Sequence, residues 1–274
     1  MQHNFETIKV SIDNGIGRLT WSRPRVHNAI SLQVMSETMA ALNLFAKMPD
    51  ARVVVLSGEG ASFSAGCDLK ESATRGTVSV DAWRTRYKDS LKFMMSFWDC
   101  PKPVIASIHG HCLAGAFEAA LACDITVASE TALFGMPEAK MGSPSILLML
   151  PWLAGPKVSK EILMLGRDTF CARDAHAAGI VNHLVPEEER IAHVEGLARE
   201  LVASSPVAVA YFKRAINQTF EIMGLRAALD ANVEAAAAMK GEKDPDREEF
   251  SRIQKESGLN AAIAWRVSRF TGTL

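Results

Sequence analysis

The 274-residue chain lacks any apolar run long enough to span a bilayer. Its longest greasy stretch, Ile146 to Ala154, contains Pro151 and falls well short of the roughly twenty residues that a membrane-crossing helix needs. Charge of one sign is lacking as well: 30 Lys and Arg stand against 31 Asp and Glu, a formal net charge of −1. No nucleic acid and no membrane is therefore expected as a partner. The five cysteines form no Cys-x-x-Cys pair, which argues against a disulfide framework and for a reducing compartment. The start, Met1-Gln2-His3-Asn4-Phe5-Glu6, has neither the basic nor the apolar region of a secretory leader, so a cytoplasmic location is expected. His109 and His111 have no third histidine at a ligand-like spacing, and no metal site is expected. A dinucleotide-binding loop at Gly58-Glu59-Gly60 is disfavoured, because Phe63 stands where its third glycine would fall.

What is present is an ordinary globular composition, 48% hydrophobic and 22% charged. The length suits one large domain, or a domain with an appendage. Ile8–Ser11 and Gly17–Trp21 read as strands joined by the hairpin signal Asp13-Asn14-Gly15. Ser31 is a plausible N-cap for a helix from Leu32 to Ala46. Arg52–Ser57 is β-branched and continuous, hence a strand buried on both faces. Residues 71–81 read as a polar, mobile connection, and Asp81–Phe97 as an amphipathic helix with Trp83, Tyr87, Leu91 and Met94 on a core-facing stripe. Strand, loop and helix recur in this way up to Val185-Pro186, which points to an α/β architecture with largely parallel strands. Beyond it only helices follow, over Glu187–Ala203, Pro206–Phe220, Leu225–Lys240, Pro245–Lys255 and Leu259–Phe270. The expected division is a core over residues 1–203 and a helical C-terminal region over 204–274.

The stretch from Val104 to Glu138 carries the chemistry. Val104–Ile108 reads as a buried strand, His109-Gly110-His111 breaks it, and the Ala-rich half of Cys112–Cys123 is a good helix with no polar face. Glu118 sits in that helix one turn past Gly115, where a carboxylate is costly unless paired, hydrogen-bonded or protonated. It is either a structural Glu reaching a hidden Arg or an exposed edge, or a functional group. Asp124–Ala128 returns as a strand, and Phe134-Gly135-Met136-Pro137-Glu138 sets a second carboxylate in a tight loop. Two such carboxylates are what acid/base work on a small neutral substrate needs. Gly110-His111-Cys112-Leu113-Ala114 has the outline of a nucleophile elbow, although a small buried hydrophobe at Cys112 is the favoured reading. In Ala65-Gly66-Cys67-Asp68-Leu69-Lys70, small residues precede an acid at a helix start. Alone this is an ordinary surface turn; paired with Gly115 it offers two backbone N–H donors for one oxygen.

Together these segments resemble the enoyl-CoA hydratase/isomerase (crotonase) family over nearly the whole chain. The residues that carry the likeness are Phe63–Lys70, Pro101–Ala106 with Gly110–Ile125, and Phe134–Glu138, with Arg23-Pro24-Arg25, Asn28-Ala29, Gly166-Arg167 and Ala172–Pro186 in support. The resemblance implies a crotonase-like spiral of ββα units followed by a helical region that builds homotrimers or dimers of trimers. It implies an acyl-CoA thioester as substrate in lipid metabolism, with no further cofactor. Cys67 and Gly115 match the family's oxyanion-hole donors, and Glu118 and Glu138 match both catalytic glutamates of the hydratases. Arg25, Ala65, Asp68, Leu69 and Lys70 match positions that line the CoA groove. Ala114 and Ala116 replace glycines common in the family, a change a helix should tolerate. The Gly-rich turn that follows the second Glu in the family is replaced by the greasier Lys140–Leu150. The implied activity is hydration of a 2-enoyl-CoA to a 3-hydroxyacyl-CoA. The alternatives are a double-bond isomerase relying on Glu138, a thiol hydrolase using Cys112, and a catalytically silent CoA-binding subunit.

Overall fold

The computed structural model describes residues 5–74 and 79–270. β1 (Ile8–Asp13) and β2 (Ile16–Trp21) pair antiparallel around Asn14 and Gly15, both at positive φ, the geometry that the Asn-Gly turn supplies. Ser31 caps α1 (Leu32–Lys47) by accepting from Val34 N at 3.2 Å. β3 (Val53–Gly58) follows, and its first four residues are buried, as its unbroken β-branched run requires. The polar connection read over residues 71–81 lies partly outside the described residues. On its described flanks are α2 (Leu69–Thr74) and the start of α3 (Val80–Trp98), which Ser79 caps.

The chain then winds as a spiral. β4 (Val104–Ile108) leads to β5 (His111–Leu113) and α4 (Gly115–Leu121). β6 (Ile125–Ser129) leads to β7 (Leu133–Gly135), the 3-10 turn Pro137–Met141 and α5 (Leu150–Met164), which is kinked at Gly155-Pro156. β8 (Phe170–Cys171), α6 (Ala172–Ala177) and β9 (His183–Val185) complete the last turn. Strands alternate between two sheets. The larger has the order β1-β2-β3-β4-β6-β9 and is parallel from β2 onward. The smaller has the order β5-β7-β8. Its strands, of two or three residues, are too short to show a period of two, so the sequence reads as a break and a loop where β5 and β7 lie.

The main core fills the space between the sheets, α1, α3 and α4, around the fully buried Trp21, Phe45, Phe63, Phe93, Phe97, Phe117 and Phe134. A second cluster, Ile16, Val53, Val55, Ile105 and Val127, seals the other face of the large sheet under α7 (Glu187–Ala203). Four helices follow: α8 (Pro206–Ile222), α9 (Leu225–Gly241), α10 (Pro245–Ser257) and α11 (Leu259–Ser268). α9 lies along α3 and buries Leu225, Leu229, Val233, Ala236 and Ala237. α8 buries no residue and leaves Val207, Tyr211, Phe212 and Ile216 exposed. No described helix is long and apolar enough to cross a membrane.

Candidate active site

The site forms where the loop before α2 meets the start of α4. Gly66, at φ +86°, lets the loop approach so closely that a Cβ there would lie 2.6 Å from Leu113 O. Ile30 N donates to Gly66 O at 2.8 Å and Asp68 N donates to Ile30 O at 3.0 Å, which leaves Cys67 N out of the ladder between them. Gly115 opens α4, so its N–H has no partner within the helix. The Cys67 sulfur lies against both groups, 2.9 Å from where a Cβ on Gly115 would stand, and the N–H groups of Gly115 and Cys67 favour its thiolate form. The sulfur therefore marks the point where the two predicted oxyanion donors converge. The thiol opens onto the cleft mouth but is crowded by its walls. That enclosure first, and then the charges of Glu118 and Glu138, push it up to about 12, so it is a neutral thiol and not a nucleophile.

Ala114 differs from its expected place. It stands outside the helix, at the cap of α4, with φ 52° and ψ −130°, a conformation that favours glycine. Holding a Cβ there costs on the order of 1–3 kcal/mol. Its N–H donates to Gly135 O at 2.7 Å, which ties β5 to β7, and its carbonyl, in the peptide that ends in Gly115 N–H, accepts from Glu118 N at 3.0 Å. Ala116 lies inside the helix, where alanine is at home.

Glu118 is 2% exposed, on a helix whose every residue is buried. Among the described residues no Arg is bonded to it. Its Oε1 instead accepts from Ile146 N at 2.7 Å, from Leu147 N at 2.9 Å and from the Ser145 hydroxyl. These donors come from the greasy stretch over Lys140–Leu150, in which no sequence pattern singles out Ser145. Burial raises the Glu118 pKa, and the three donors oppose it. Glu138 sits in the 3-10 turn, with Pro137 ahead of it fixing the turn's φ. Its Oε2 is buried with no hydrogen-bond partner. Burial first, and then the charge of Glu118, lift Glu138 to about 8. Both carboxyls are thus shifted toward the protonated form, Glu118 against the pull of its three donors, and the two titrate as one pair.

The predicted CoA positions occupy one surface. Arg25 lies exposed in the 3-10 turn Pro24–Val26, and Lys70 lies exposed at the start of α2. Ala65 N donates to His27 O at 2.9 Å, which brings the two segments together, with Leu69 half-buried beside them. Asp68 is already engaged: it accepts from Arg23 at 2.9 Å and from Lys70 N and Glu71 N at 3.1 Å. It acts there as the N-cap of α2 and the anchor of the Arg23 turn. The stripe Tyr87, Leu91 and Met94 is core as read, and it also borders the site. Met94 Cε would stand 3.3 Å from a Cβ on Gly115, and the Tyr87 hydroxyl, held protonated by burial, faces Cys67. Cys112 lies within β5, fully buried, its thiol pushed well above its ordinary value by burial. That removes the elbow: no strand-to-helix turn exposes it and no thiolate is available. Among the described residues no group of His, Cys, Asp and Glu is placed to hold a metal ion.

Two backbone donors beside the buried Glu118 and the half-buried Glu138 are an arrangement that can serve chemistry next to an activated carbonyl. The sequence profile of the enoyl-CoA hydratase/isomerase family matches residues 11–251, and the chain belongs to that family of enzymes. It is 30% identical over 226 residues to a probable enoyl-CoA hydratase of Mycobacterium bovis, covering 79% of this chain and 83% of that one. A carnitinyl-CoA dehydratase of Salmonella typhi is 34% identical over 221 residues, covering 79% and 82%. The crystal structure of an enoyl-CoA hydratase/isomerase from Xanthobacter autotrophicus Py2 superposes with a TM-score of 0.95 at 39% identity, covering 98% of this chain and all of that one. The fold is the crotonase fold, an α/β spiral with a helical C-terminal region.

Proposed function

We propose that this protein is an enoyl-CoA hydratase that adds water syn across the double bond of a 2-enoyl-CoA thioester. The observation that supports this reading best is the unlike environment of the two glutamates: Oε1 of Glu118 accepts from three donors, whereas Oε2 of Glu138 is enclosed with no hydrogen-bond partner among the described residues. The thioester oxygen displaces the Cys67 sulfur and accepts from the N–H groups of Cys67 and Gly115. These donors stabilise the enolate character that develops as water attacks C3. Glu118, through its free Oε2, takes a proton from that water, and Glu138 delivers its own proton to C2. Both protons exchange with solvent before the next turnover. The product is a 3-hydroxyacyl-CoA, and run backwards the same groups remove water.

The CoA thioester is substrate here, and no further cofactor enters the reaction. Arg25 and Lys70 face the nucleotide end of CoA, with Ala65 and Leu69 along the groove, while Asp68 shapes the groove through Arg23 and α2. The core over 1–203 carries the donors and both glutamates, and the region over 204–274 supplies the assembly surface. The apolar face of α8, beside an open groove of about 1010 Å³, supports association into a homotrimer or a dimer of trimers. We place the enzyme in the cytoplasm, in fatty acid metabolism.

The test is product analysis by mass spectrometry on a panel of 2-enoyl-CoA esters in ¹⁸O-labelled water. A labelled 3-hydroxyacyl-CoA is expected. A shifted double bond without label would replace this reading with the isomerase, free CoA with a hydrolase, and binding without turnover with a silent subunit.

A further inference from the structure

The three donors that hold Glu118 belong to a segment that is itself held from outside. Asn232, on α9, directs its side-chain amide at this segment: Nδ2 donates to Ser145 O at 2.9 Å and to Ile146 O at 3.0 Å. Those two carbonyls belong to the same peptide groups whose N–H atoms, on Ile146 and Leu147, donate to Glu118 Oε1 at 2.7 and 2.9 Å. Each peptide group therefore bridges Asn232 on one side to Glu118 on the other. Hydrogen bonds linked through a peptide group polarise one another, so a donor on the carbonyl strengthens the N–H as a donor. About two turns further along α9, Lys240 Nζ donates to Gly142 O and to Ser143 Oγ, both at 3.1 Å, and fixes the beginning of the same segment. Leu229 and Val233, buried on α9, hold the Asn232 backbone against the core.

We propose that Asn232 is a positioning residue for the hydration reaction, acting on Glu118 through the two peptide groups 145–146 and 146–147. The inference rests on Glu118 being the base, as argued above. Asn232 does not reach the substrate: it fixes the direction of Oε1, and so leaves Oε2 as the oxygen turned toward the attacking water. By polarising both N–H donors it also favours the ionised form of Glu118 against the burial that disfavours it. The other titratable groups around Glu118 are Glu138 from the 3-10 turn and the Cys67 thiol from the loop before α2. Tyr87 on α3 lies behind Cys67, and Lys240 and Arg247 approach from α9 and α10.

The test uses Asn232→Leu, which keeps the volume and removes the amide, with crotonyl-CoA as substrate. KM is expected to stay within about twofold. A misdirected catalytic group typically costs up to about 10², so kcat should fall by roughly 10–100-fold. The acid limb of the pH–rate profile should move up by about one unit, a tenfold change in the proton affinity of the base. Infrared titration of the substrate-free enzyme reads the same shift without turnover: the buried carboxyl band that Glu118→Gln abolishes should persist to higher pH. Asn232→Asp keeps the shape and turns a carboxylate toward the two carbonyls, so it should move the band in the same direction and further. A folded Asn232→Leu or Asn232→Asp protein with an unshifted band and limb would overturn the proposal, since a purely structural Asn232 would change melting temperature alone. Failure of the hydratase reading is seen separately, as a Glu118→Gln protein that still hydrates crotonyl-CoA. The infrared band then still decides whether Asn232 governs Glu118.

Discussion

Glu118 and Glu138 face one cleft from two unlike pieces of backbone. Glu118 is fixed on a helix with every residue buried, and its Oε1 is saturated by the segment 145–147. Glu138 hangs from a 3-10 turn with no buried residue, and its Oε2 is enclosed without a partner. Two identical side chains so placed cannot titrate alike. Donors stabilise charge on the first; enclosure, and the charge of the first, keep a proton on the second. The proposed division into base and acid thus rests on the surroundings and not on residue type.

The largest expected effect comes from removing either carboxyl while keeping its shape. Glu118→Gln and Glu138→Gln should each lower hydration of crotonyl-CoA by about 10²–10⁴, with ester binding retained. The comparison would be broken by equal pH profiles in the two variants. Glu118→Gln should lose the acid limb; Glu138→Gln should lose the alkaline fall, which in the parent sets in near pH 8 as Glu138 gives up its proton.

Ser145→Ala withdraws one of the three donors, each such bond to a charged group contributing about 1.5–3 kcal/mol. The expected result is a kcat roughly tenfold lower or more, with the acid limb moved upward, read from the pH dependence of kcat/KM. An unmoved limb would mean that Ser145 does not help to ionise Glu118.

A smaller effect concerns stability. The folded-state value of Glu138 lies above its ordinary 4.5, so the folded protein binds more protons than the unfolded chain between about 4.5 and about 8. Stability is therefore lost as pH rises through that window. Glu138→Gln, which never ionises, should melt at the parent's temperature at pH 4 and several degrees above it at pH 9, by differential scanning calorimetry. A parent that gains on the variant with rising pH would contradict the buried, neutral Glu138.

The smallest effect lies between the two regions. The Cys67 sulfur fills the point on which the two backbone donors converge, and it must swing aside before a thioester oxygen enters. Cys67→Ala should lower KM for crotonyl-CoA about threefold with kcat within twofold, because a larger fraction of the protein is then ready to bind. A raised KM would show that the sulfur packs against the ester instead of standing in its way.

Most of the site was legible because its members are local signals. Gly66 and Gly115 stand at chain reversals, Glu118 is a lone carboxylate in an apolar helix, and Glu138 follows a proline turn. The large sheet was legible for the same reason, since Val53–Leu56 is an unbroken apolar run and Val104–Ile108 is interrupted only by Ser107. The small sheet was not, because two- and three-residue strands carry no period. Ser145 and Asn232 escaped notice because their meaning is relational. A serine in a greasy loop and an asparagine beside Val233 acquire a role only when the fold brings residues 86 or 87 positions apart into contact. Ala114 was misplaced because helix propensity says nothing of a cap at positive φ.

The grip of α9 on the segment over Glu118 also sets a timetable for synthesis. Translation proceeds from the N-terminus, and domains fold as their parts emerge. Every strand of both sheets, through Val185, is complete before the ribosome adds Asn232 and Lys240. A nascent chain cut short between these points can pair its strands and bury the helix of Glu118, but the loop above that carboxylate has no anchor. Premature termination in this interval removes both contacts that α9 makes with the loop over Glu118, so that carboxylate's surroundings are completed only when α9 docks.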